Sequence, residues 1–406
     1  DNTIVEFKYD LTKPPHWRWV PIKVRYDKTA KYLNGEKEYG NSYDVANSNW
    51  KTIHQPITTV MISTGVGIPN SFDNDVYYNR DNKISKTVAM RNFHNKYIKH
   101  ILINNIANRD DTLIDLAVGK AGDLNKWKTA GLSFVFGIDI SKDNIENKVD
   151  GACVRYIKQA NKQSKFPNVL FAVGNSQYNF KDGNGFTTDK SKVIYNAVIG
   201  RGSNDPSLIG KGVHKNYGKG KEGFNITSCQ FALHYFFEDI TSLKGFIRNV
   251  SENTKVGGYF IGTCYDGSLI FNKLRQLQKG DVYNVSKEAT TILEITKQYE
   301  ETEFNNDSSC LGYAVEVLQE TINVKWKEYL VNFNYLVRVM ENFGFTLLTS
   351  QELKDINMPN SIGNFSELFD KMKLDKKNQH HYGEAINMSS EEREISFLNK
   401  YFIFKK

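Results

Sequence analysis

Cysteine pairs of the kind that hold a metal or form a redox centre are missing from this sequence. It has four cysteines, and no two of them form the C-x-x-C motif from which many zinc sites and dithiol redox centres are built. They are Cys153, Cys229, Cys264 and Cys310. We therefore expect reduced, mostly buried thiols, as in a cytosolic protein.

Long hydrophobic runs and a signal sequence are missing as well. No apolar run approaches the ~20 residues that cross a bilayer. The first residues, Asp1-Asn2-Thr3, include neither an initiator methionine nor an apolar signal region. From these absences we expect a soluble protein and a chain that is a piece of a longer one.

A strong charge of one sign is also absent. The chain has 53 Lys+Arg against 46 Asp+Glu, a net charge of +7, which suits an anionic partner without naming one. What the 406 residues do contain is apolar material, with 40% hydrophobic and 13% aromatic residues. That is enough for a large buried core and excludes fibrous and wholly disordered classes.

Apolar patterning from residue 85 onward predicts strands that alternate with helices. The predicted strands cover 112–118, 134–140, 168–173 and 224–229, and the predicted helices cover 85–107 and 145–162. Such alternation is typical of an α/β fold with a doubly wound, mostly parallel sheet, in which ligands bind at the carboxyl ends of the strands.

The remaining segments have a different character. The first sixty residues alternate in short apolar and polar runs, which predicts β structure. Segment 181–223 is rich in glycine and lysine, and we interpret it as a long, mobile, solvated loop, with a grip on RNA phosphates as the less favoured alternative. A second polar stretch, 351–389, precedes a helix with a capping box at Ser389 and Glu392, and residues 401–404 look like a last strand.

The strongest local signal for a ligand is the turn at 115–123, Asp-Leu-Ala-Val-Gly-Lys-Ala-Gly-Asp. Its small residues let a ligand approach the backbone, and Asp139, at the end of the next strand, can accept hydrogen bonds from ribose hydroxyls. The spacing is not G-x-G-x-x-G, so the phosphate cradle of a dinucleotide fold is not supplied. A ribose-bearing ligand without phosphate, such as S-adenosylmethionine, fits better; the alternative is an ordinary strand-to-helix turn.

From about residue 85 to its end, the chain resembles the mRNA cap guanine-N7 methyltransferases. Six segments carry the resemblance in the order of that family. They are FHNKYIK at 93–99, DLAVGKAGD at 115–123, GIDIS at 137–141, QFALHY at 230–235, GGYFIGT at 257–263 and WKEYL at 326–330. The resemblance implies a Rossmann-like S-adenosylmethionine-dependent methyltransferase fold and methyl transfer to N7 of the guanine cap.

A second resemblance covers the first sixty residues, in which 19–29 and 56–58 are similar to the end of the OB fold of RNA guanylyltransferases. The lysine nucleophile of that step lies in a K-x-D-G motif, and this sequence has none. The expected organisation is therefore a partial OB-like β segment (1–65), a linker (66–84) and a methyltransferase domain (85–406) with insertions at 181–223 and 351–389.

This arrangement looks like the C-terminal part of the multifunctional capping enzymes of large DNA viruses, such as poxviruses, asfarviruses and mimiviruses. The resemblance implies capped mRNA as substrate, triphosphatase and guanylyltransferase domains on the same polypeptide, and a stimulatory subunit, with no membrane partner. It also implies a location in the host cytoplasm, at the viral factory, and in the virion.

Carried over position by position, the resemblance assigns two sets of residues. The set for S-adenosylmethionine is Lys99, Asp115, Ala117, Gly119, Asp123, Asp139, Asn175, Ser176 and Gln230. The set for the cap is Lys120, Arg155, Phe231, His234, Tyr235, Glu328 and Tyr401. No residue acts directly in the chemistry; Glu328, His234 and Tyr235 position the guanine, and no metal is required.

Three positions depart from the pattern of the family. Val118 replaces a cysteine, Ala121 replaces a glycine, and Asn175 replaces an aspartate that accepts from the adenine amino group. These departures favour an alternative, a cap-binding, RNA-binding or stimulatory module that keeps the fold with weak activity. A ribose 2′-O-methyltransferase would need a base such as a perturbed lysine, and nothing in the sequence marks one. For Glu328, the bland alternative is a solvated strand end; for His234 and Tyr235, it is a core position.

Overall fold

A computed structural model of the chain describes residues 2–36, 39–41, 43–54, 59, 63, 85–162, 165–320 and 324–406. The chain forms two compact units, Asp1–Asn74 and Asp75–Lys406. The predicted linker at 66–84 and the OB-like residues 56–58 lie outside the described residues. None of the described helices has the length and apolar character that a membrane crossing requires.

The first unit contains a two-stranded antiparallel sheet followed by helices. Strand β1 (Val5–Tyr9) pairs with β2 (Trp19–Val24), which agrees with the predicted β structure. Residues 26–33 and 43–54 are helical instead, so the prediction of β structure is wrong for them. In the first helix, Tyr26, Ala30 and Leu33 recur at the helical spacing, a period that short alternating runs conceal.

The described residues of the second unit form twelve further strands. They are β3 (Thr112–Asp115), β4 (Phe134–Asp139), β5 (Asn168–Val173), β6 (Phe224–Gln230), β7 (Thr254–Tyr265), β8 (Val282–Lys287), β9 (Thr290–Lys297), β10 (Ala314–Gln319), β11 (Lys325–Tyr329), β12 (Thr346–Leu347), β13 (Ile362–Asn364) and β14 (Asn399–Lys405).

The helices of the second unit are shorter on average than sequence patterning predicts. The α-helices are Val88–Asn92, Lys99–Asn104, Leu124–Thr129, Lys142–Glu146, Ala152–Ala160, Asp189–Val198, Pro206–Ile209, Lys211–His214, Ile240–Asn253, Gly267–Leu274, Phe333–Asn342, Ser350–Asp355, Phe365–Leu374 and Ser390–Ser396. A π-helical turn, Phe93–Ile98, joins the first two, and we call the continuous element 88–104 the site helix.

The central sheet has the strand order β5-β4-β3-β6-β7-β14-β12, with β13 paired to β14. Strands β3 to β7 are parallel to their neighbours, and β14 runs antiparallel to β7. The predicted α/β fold with a doubly wound, mostly parallel sheet is confirmed. Because the chain order reverses between β3 and β6, the crevice at their carboxyl ends is the expected ligand position.

A second sheet, β8–β11, is antiparallel with the order β11-β10-β9-β8. Sequence patterning did not predict it. Its edge strand β11 pairs with β10 so that Glu328 lies opposite Val315. This pairing places Glu328 near the end of β11, next to the buried Tyr329 and Leu330.

Segment 181–223 is more ordered than predicted. It contains the helix Asp189–Val198, whose N-cap Thr188 accepts a hydrogen bond from the main-chain N–H of Ser191. Tyr195 and Val198 of this helix are buried in the core, and the Tyr195 hydroxyl donates to Asn253 (3.0 Å). The interpretation as a mobile, solvated loop is therefore wrong for this helix, because its aromatic and aliphatic residues recur on one face and pack on the sheet.

Of three other predictions from the sequence, two need correction and one is confirmed. The helix predicted at 145–162 is broken into two, and Gly151, extended with ψ 162°, caps the second one. The polar stretch 351–389 folds into helices and one short strand, and its helix Phe365–Leu374 buries Phe365 and Met372. The capping box between Ser389 and Glu392 is confirmed.

Candidate active site

A cavity of about 510 Å³ lies beside the site helix, at the carboxyl ends of β3 and β6. Eleven of the residues assigned from the sequence line it: Lys99, Asp115, Ala117, Gly119, Lys120, Asp123, Arg155, Gln230, Phe231, His234 and Glu328. The cavity therefore brings residues assigned to the cofactor and residues assigned to the cap into one space. Among the described residues, its lining does not include Asp139, Asn175, Ser176, Tyr235 or Tyr401.

The turn after β3 is held by the carboxylate that ends β4. The main-chain N–H of Gly119, whose φ is +53°, donates to Asp139 Oδ2 at 2.7 Å. The other oxygen, Oδ1, accepts from the main-chain N–H of Ser141 (2.9 Å) and from Asn144 Nδ2 (3.0 Å). A carboxylate has about four acceptor positions, so Asp139 keeps capacity for a further donor.

Ala121 stands where the family has a glycine, and its backbone adopts a positive φ, so its methyl group could crowd the turn. Its φ is +53°, in the left-handed region that residues with a Cβ rarely occupy. The residue is fully buried in the hydrophobic core, and it is not among the described residues that line the cavity. The methyl group therefore packs into the core rather than into the ligand space.

Asp123 is the centre of a buried cluster of charges. Its carboxylate contacts Lys99 Nζ at 3.1 Å and Lys126 Nζ at 2.8 Å. Burial alone would raise the pKa of Asp123, but the two ammonium groups hold it well below its usual range. The cluster fixes Lys99, which extends from the site helix, against the start of the helix Leu124–Thr129.

Asp115 lines the same end of the cavity, but its pKa is raised, whereas that of Asp123 is lowered. The main-chain N–H of Ala117 donates to its Oδ1 at 3.1 Å, and no ion pair joins Asp115 to another described residue. Burial, together with the nearby charge of Asp123, raises the pKa of Asp115 to about 7. A buried carboxyl group of this kind is prepared to accept a cationic ligand group, which would restore its ionised form.

Basic groups line another part of the cavity. Lys120 Nζ contacts Asp150 Oδ1 at 2.8 Å and Asp143 Oδ2 at 3.4 Å, and Arg155 donates to the main-chain carbonyl of Lys120 at 2.7 Å. Arg91, on the site helix, also lines the cavity. Together these residues provide positive charge that suits an anionic ligand group.

Glu328 and His234 form a buried pair at the remaining wall. Burial raises the pKa of Glu328 to about 8 and lowers that of His234 to about 3. The distance from His234 Nε2 to Glu328 Oε1 is 3.7 Å, too long for a hydrogen bond, and Nε2 has no hydrogen-bond partner among the described residues. The bland interpretation of Glu328 as a solvated strand end is wrong, because its side chain is only 7% exposed.

Five assigned residues lie outside the lining; Asp139 holds the turn as described above, and the other four lie elsewhere for identifiable reasons. Asn175 accepts from the main-chain N–H of Gln177 at 2.9 Å, so it caps its own turn. The Ser176 hydroxyl donates to the carbonyl of Leu116 at 2.6 Å. The ring of Tyr235 packs edge-on against His234, with 4.2 Å between centroids. These three residues support the site rather than line it, at least within the described part of the chain.

Tyr401 is the fourth, and the structure places it in the core. It lies on β14 opposite Gly363 and is fully buried. A methyl group added to Gly363 would come within 2.4 Å of the Tyr401 hydroxyl oxygen. The tyrosine ring therefore packs directly against the glycine, in the space that a side chain at 363 would fill. The assignment of Tyr401 to the cap pocket is not supported: Tyr401 shares a face of β14 with Asn399, which lines the cavity, but its ring packs over Gly363 and does not line the cavity within the described residues.

The cavity also contains residues that the sequence did not assign. Arg91 and Asn95 on the site helix line it together with Lys99, and their spacing of four residues is the signal that would have found them. Tyr265 and Gln319 line it as well, and Gln319 Nε2 donates to the Tyr265 hydroxyl at 2.6 Å. No local signal links these two, because they come from different sheets.

Comparison with known proteins gives the family. The model of the mRNA (guanine-N(7))-methyltransferase domain matches residues 71–406. A probable mRNA-capping enzyme of Acanthamoeba polyphaga mimivirus is 29% identical over an alignment that covers 100% of this chain and 36% of that protein. The mRNA cap guanine-N(7) methyltransferase of Saccharomyces cerevisiae is 25% identical, over 80% of this chain and 65% of that protein.

Among solved structures, an S-adenosylmethionine-dependent methyltransferase from Clostridium acetobutylicum is 11% identical, with a TM-score of 0.39, and covers 90% of this chain and 99% of its own. The chain thus spans about a third of the mimivirus relative and less than two thirds of the yeast one. Because the family model matches more than half of the residues, the chain belongs to the mRNA (guanine-N(7))-methyltransferase domain family.

Proposed function

We propose that this chain transfers a methyl group from S-adenosylmethionine to N7 of the guanine cap of mRNA. The observation that carries the proposal is the shared cavity: the turn at 115–123 lines one part of it and the pair Glu328 and His234 lines another. A methyl donor and a purine acceptor can therefore lie side by side. Family membership narrows the purine to the cap guanine.

The residues at the turn fit S-adenosylmethionine. Asp115 offers a buried carboxyl group to the ligand's ammonium group, and Asp139 retains acceptor capacity for its ribose hydroxyls. Lys99 and Asp123 are fixed by their mutual ion pair, and both line the same end of the cavity. When bound, the cofactor supplies a methyl group on a positively charged sulfur.

The chemistry demands positioning more than proton transfer. Guanine N7 has a free lone pair at neutral pH, so it needs an in-line approach at ~3 to 3.5 Å rather than a general base. An ionised Glu328 can accept from guanine N1–H and N2–H together, and its charge stabilises the positive charge that methylation places on the ring. In this role Glu328 and His234 hold the base, and neither exchanges a proton with N7.

The proposal is tested by incubating the protein with labelled S-adenosylmethionine and unmethylated capped RNA, followed by nuclease digestion and identification of the methylated atom. Label at N7 of the cap guanine is the expected result. Label on a ribose 2′-oxygen would replace the proposal with the 2′-O reaction. Cap binding without transfer would favour the module with weak activity, the alternative that the three sequence departures suggest.

Asp139→Ala should lower S-adenosylmethionine affinity by ~1 to 3 kcal/mol, because ribose hydroxyls in a buried site would lose their acceptor. Titration calorimetry measures the effect. The matched control is Asn144→Ala, which removes one donor to Asp139 while leaving the carboxylate in place. An equal loss in both variants would mean that Asp139 acts by holding the turn, and unchanged affinity in Asp139→Ala would place the ribose elsewhere.

Methyl transfer should survive a chelator, since attack by N7 requires neither proton abstraction nor a Lewis acid. The measurement is the methylation rate of a cap dinucleotide with and without EDTA. A dinucleotide is the right substrate because it has no RNA fold that divalent ions could stabilise. Loss of activity that one added divalent ion restores would contradict this mechanism.

Further partners also remain proposals. We expect triphosphatase and guanylyltransferase activities on the polypeptide to which this chain belongs, since the mimivirus relative that it matches is named a probable mRNA-capping enzyme and extends well beyond the aligned part. A stimulatory subunit and a location in the host cytoplasm and the virion are likewise predictions from the resemblance to viral capping enzymes. Fractionation of infected cells and purification of the full-length protein would test them.

A further inference from the structure

Cys264 lies directly behind His234. It is on β7 and fully buried, and its Sγ is 3.7 Å from His234 Nδ1, a hydrogen-bonding distance for sulfur. On the opposite side of the imidazole ring, Nε2 is buried without a hydrogen-bond partner among the described residues, on the side that faces Glu328 at 3.7 Å.

The protonation states of the two groups are set by burial. Burial raises the pKa of the Cys264 thiol well above its usual value, so the sulfur keeps its proton. Burial lowers the pKa of His234 to about 3, so its ring is neutral and has a single N–H. That N–H is either on Nδ1, toward the sulfur, or on Nε2, toward the cavity.

The thiol decides between these two tautomers. A thiol proton in a closed environment needs an acceptor, and an imidazole nitrogen accepts better than sulfur, which is a weak acceptor. The favoured arrangement is therefore S–H donating to Nδ1, which leaves the ring proton on Nε2.

We propose that Cys264 is a positioning residue that holds His234 as the Nε2–H tautomer. It thereby makes the base pocket, the part of the cavity lined by His234 and Glu328, specific for guanine over adenine. This inference rests on the function proposed above. An Nε2–H donor together with the Glu328 acceptor matches the edge of guanine, which has an acceptor at O6 and donors at N1 and N2. Adenine has a donor at position 6 and an acceptor at N1, so both contacts would be mismatched.

The opposite tautomer would lose this discrimination. With the proton on Nδ1, the Nε2 lone pair would face guanine O6, and two acceptors would meet in a buried site, an arrangement that leaves both without a hydrogen bond. The edge-on ring of Tyr235, 4.2 Å from that of His234, restricts rotation of the imidazole. The choice of tautomer then determines which purine is accepted.

The test compares Cys264→Ala, which removes the donor, with Cys264→Ser, which keeps one. Cys229→Ala is the matched control, a buried cysteine on the neighbouring strand β6 with no bond to His234 among the described contacts. One readout is the ¹⁵N spectrum of histidine-labelled, cap-free protein, which identifies the protonated nitrogen of His234. The other is the ratio of the dissociation constants of ApppA and GpppA.

We expect Nε2–H in the wild type, in Cys264→Ser and in Cys229→Ala, with the same preference for guanine in all three. Cys264→Ala should populate the Nδ1–H tautomer and lose about tenfold of the preference. A wild-type spectrum with the proton on Nδ1 would overturn the inference, as would an unchanged tautomer and ratio in Cys264→Ala. The spectrum does not depend on activity: if it shows Nε2–H while the protein fails to methylate capped RNA, the proposed function fails and the role of Cys264 in setting the tautomer stands.

Discussion

Asp123→Asn should destabilise the folded protein by about 3 to 5 kcal/mol, the scale found when one partner of a buried ion pair is removed. The substitution keeps the size of the side chain but takes away the charge that Lys99 and Lys126 share at 3.1 and 2.8 Å. These lysine side chains are only 13% and 10% exposed. Two buried ammonium groups would then repel each other without compensation, and denaturant unfolding at pH 7 measures the cost.

The matched control for this change is Asp150→Asn, which also removes an aspartate paired with a lysine. Its side chain is 48% exposed, and the buried Lys120 that it contacts at 2.8 Å keeps a second carboxylate, Asp143, at 3.4 Å. We therefore expect a cost of about 0 to 1 kcal/mol, as for pairs that water can reach. We expect the large effect for position 123 alone. Equal effects in the two variants would mean that burial does not amplify the Asp123 cluster.

The effect at Asp123 should also depend on pH. Burial and the charge of Lys99 lower the pKa of Lys126, and Asp123 opposes this effect; in the Asn variant that opposition is lost, so the folded variant binds fewer protons than the unfolded chain. Its stability therefore rises with pH above that lowered pKa, and the difference from the wild type narrows between pH 7 and pH 9. A constant difference over this range would show that the loss comes from packing instead of charge.

Local patterns identified the turn that lines one end of the cavity. The turn at 115–123 and Asp139 lie within 25 residues, and a strand, small residues and a terminal acid form a signal that short-range sequence contains. The structure joins the two through the hydrogen bond from Gly119 to Asp139. The mostly parallel character of the central sheet followed from the alternation of strands and helices for the same reason.

The base pocket could not be derived in this way, because its parts come together only through tertiary packing. Glu328 reaches His234 because β11 joins a second sheet that periodicity did not predict. Tyr401 shows the opposite error: a resemblance placed it in the pocket, and it does share a face of β14 with the cavity-lining Asn399, but it lies two residues further along the strand with its ring over Gly363. How far a cavity extends along a strand depends on what packs over that strand, which local sequence does not show.

Glu328→Gln should separate cap recognition from cofactor binding. A single carbonyl oxygen replaces only part of the acceptor for guanine N1–H and N2–H, and the methylated, positively charged ring loses its counter-charge. We expect a loss of ~2 to 4 kcal/mol in transition-state stabilisation, as when one preorganised electrostatic group is removed. Steady-state methylation of a cap analogue gives this value, and calorimetry should show unchanged S-adenosylmethionine affinity.

The same substitution should stabilise the cap-free protein above neutral pH. Burial raises the pKa of Glu328 from 4.5 to about 8, so between these values the unfolded chain is ionised while the folded protein holds the proton. The contribution of Glu328 to stability is fully present below pH 4.5 and is lost as the pH rises toward 8. Relative to the Gln variant, wild-type stability should fall by up to about 1.4 kcal/mol per pH unit across this window.

Activity and stability therefore move in opposite directions if Glu328 is a recognition residue. The Gln variant should methylate the cap more slowly and resist unfolding better at pH 8. In the free protein no guanine N–H groups offset the cost of burying the Glu328 carboxylate, and the neutral amide avoids that cost. The control is Glu316→Gln on β10, opposite Lys327, which should change neither property. If Glu328→Gln methylates at the wild-type rate, the carboxylate does not bind guanine. If activity, cofactor affinity and stability all fall together, Glu328 serves the packing of β11 against the 3₁₀ helix Leu233–Phe237, which contains His234.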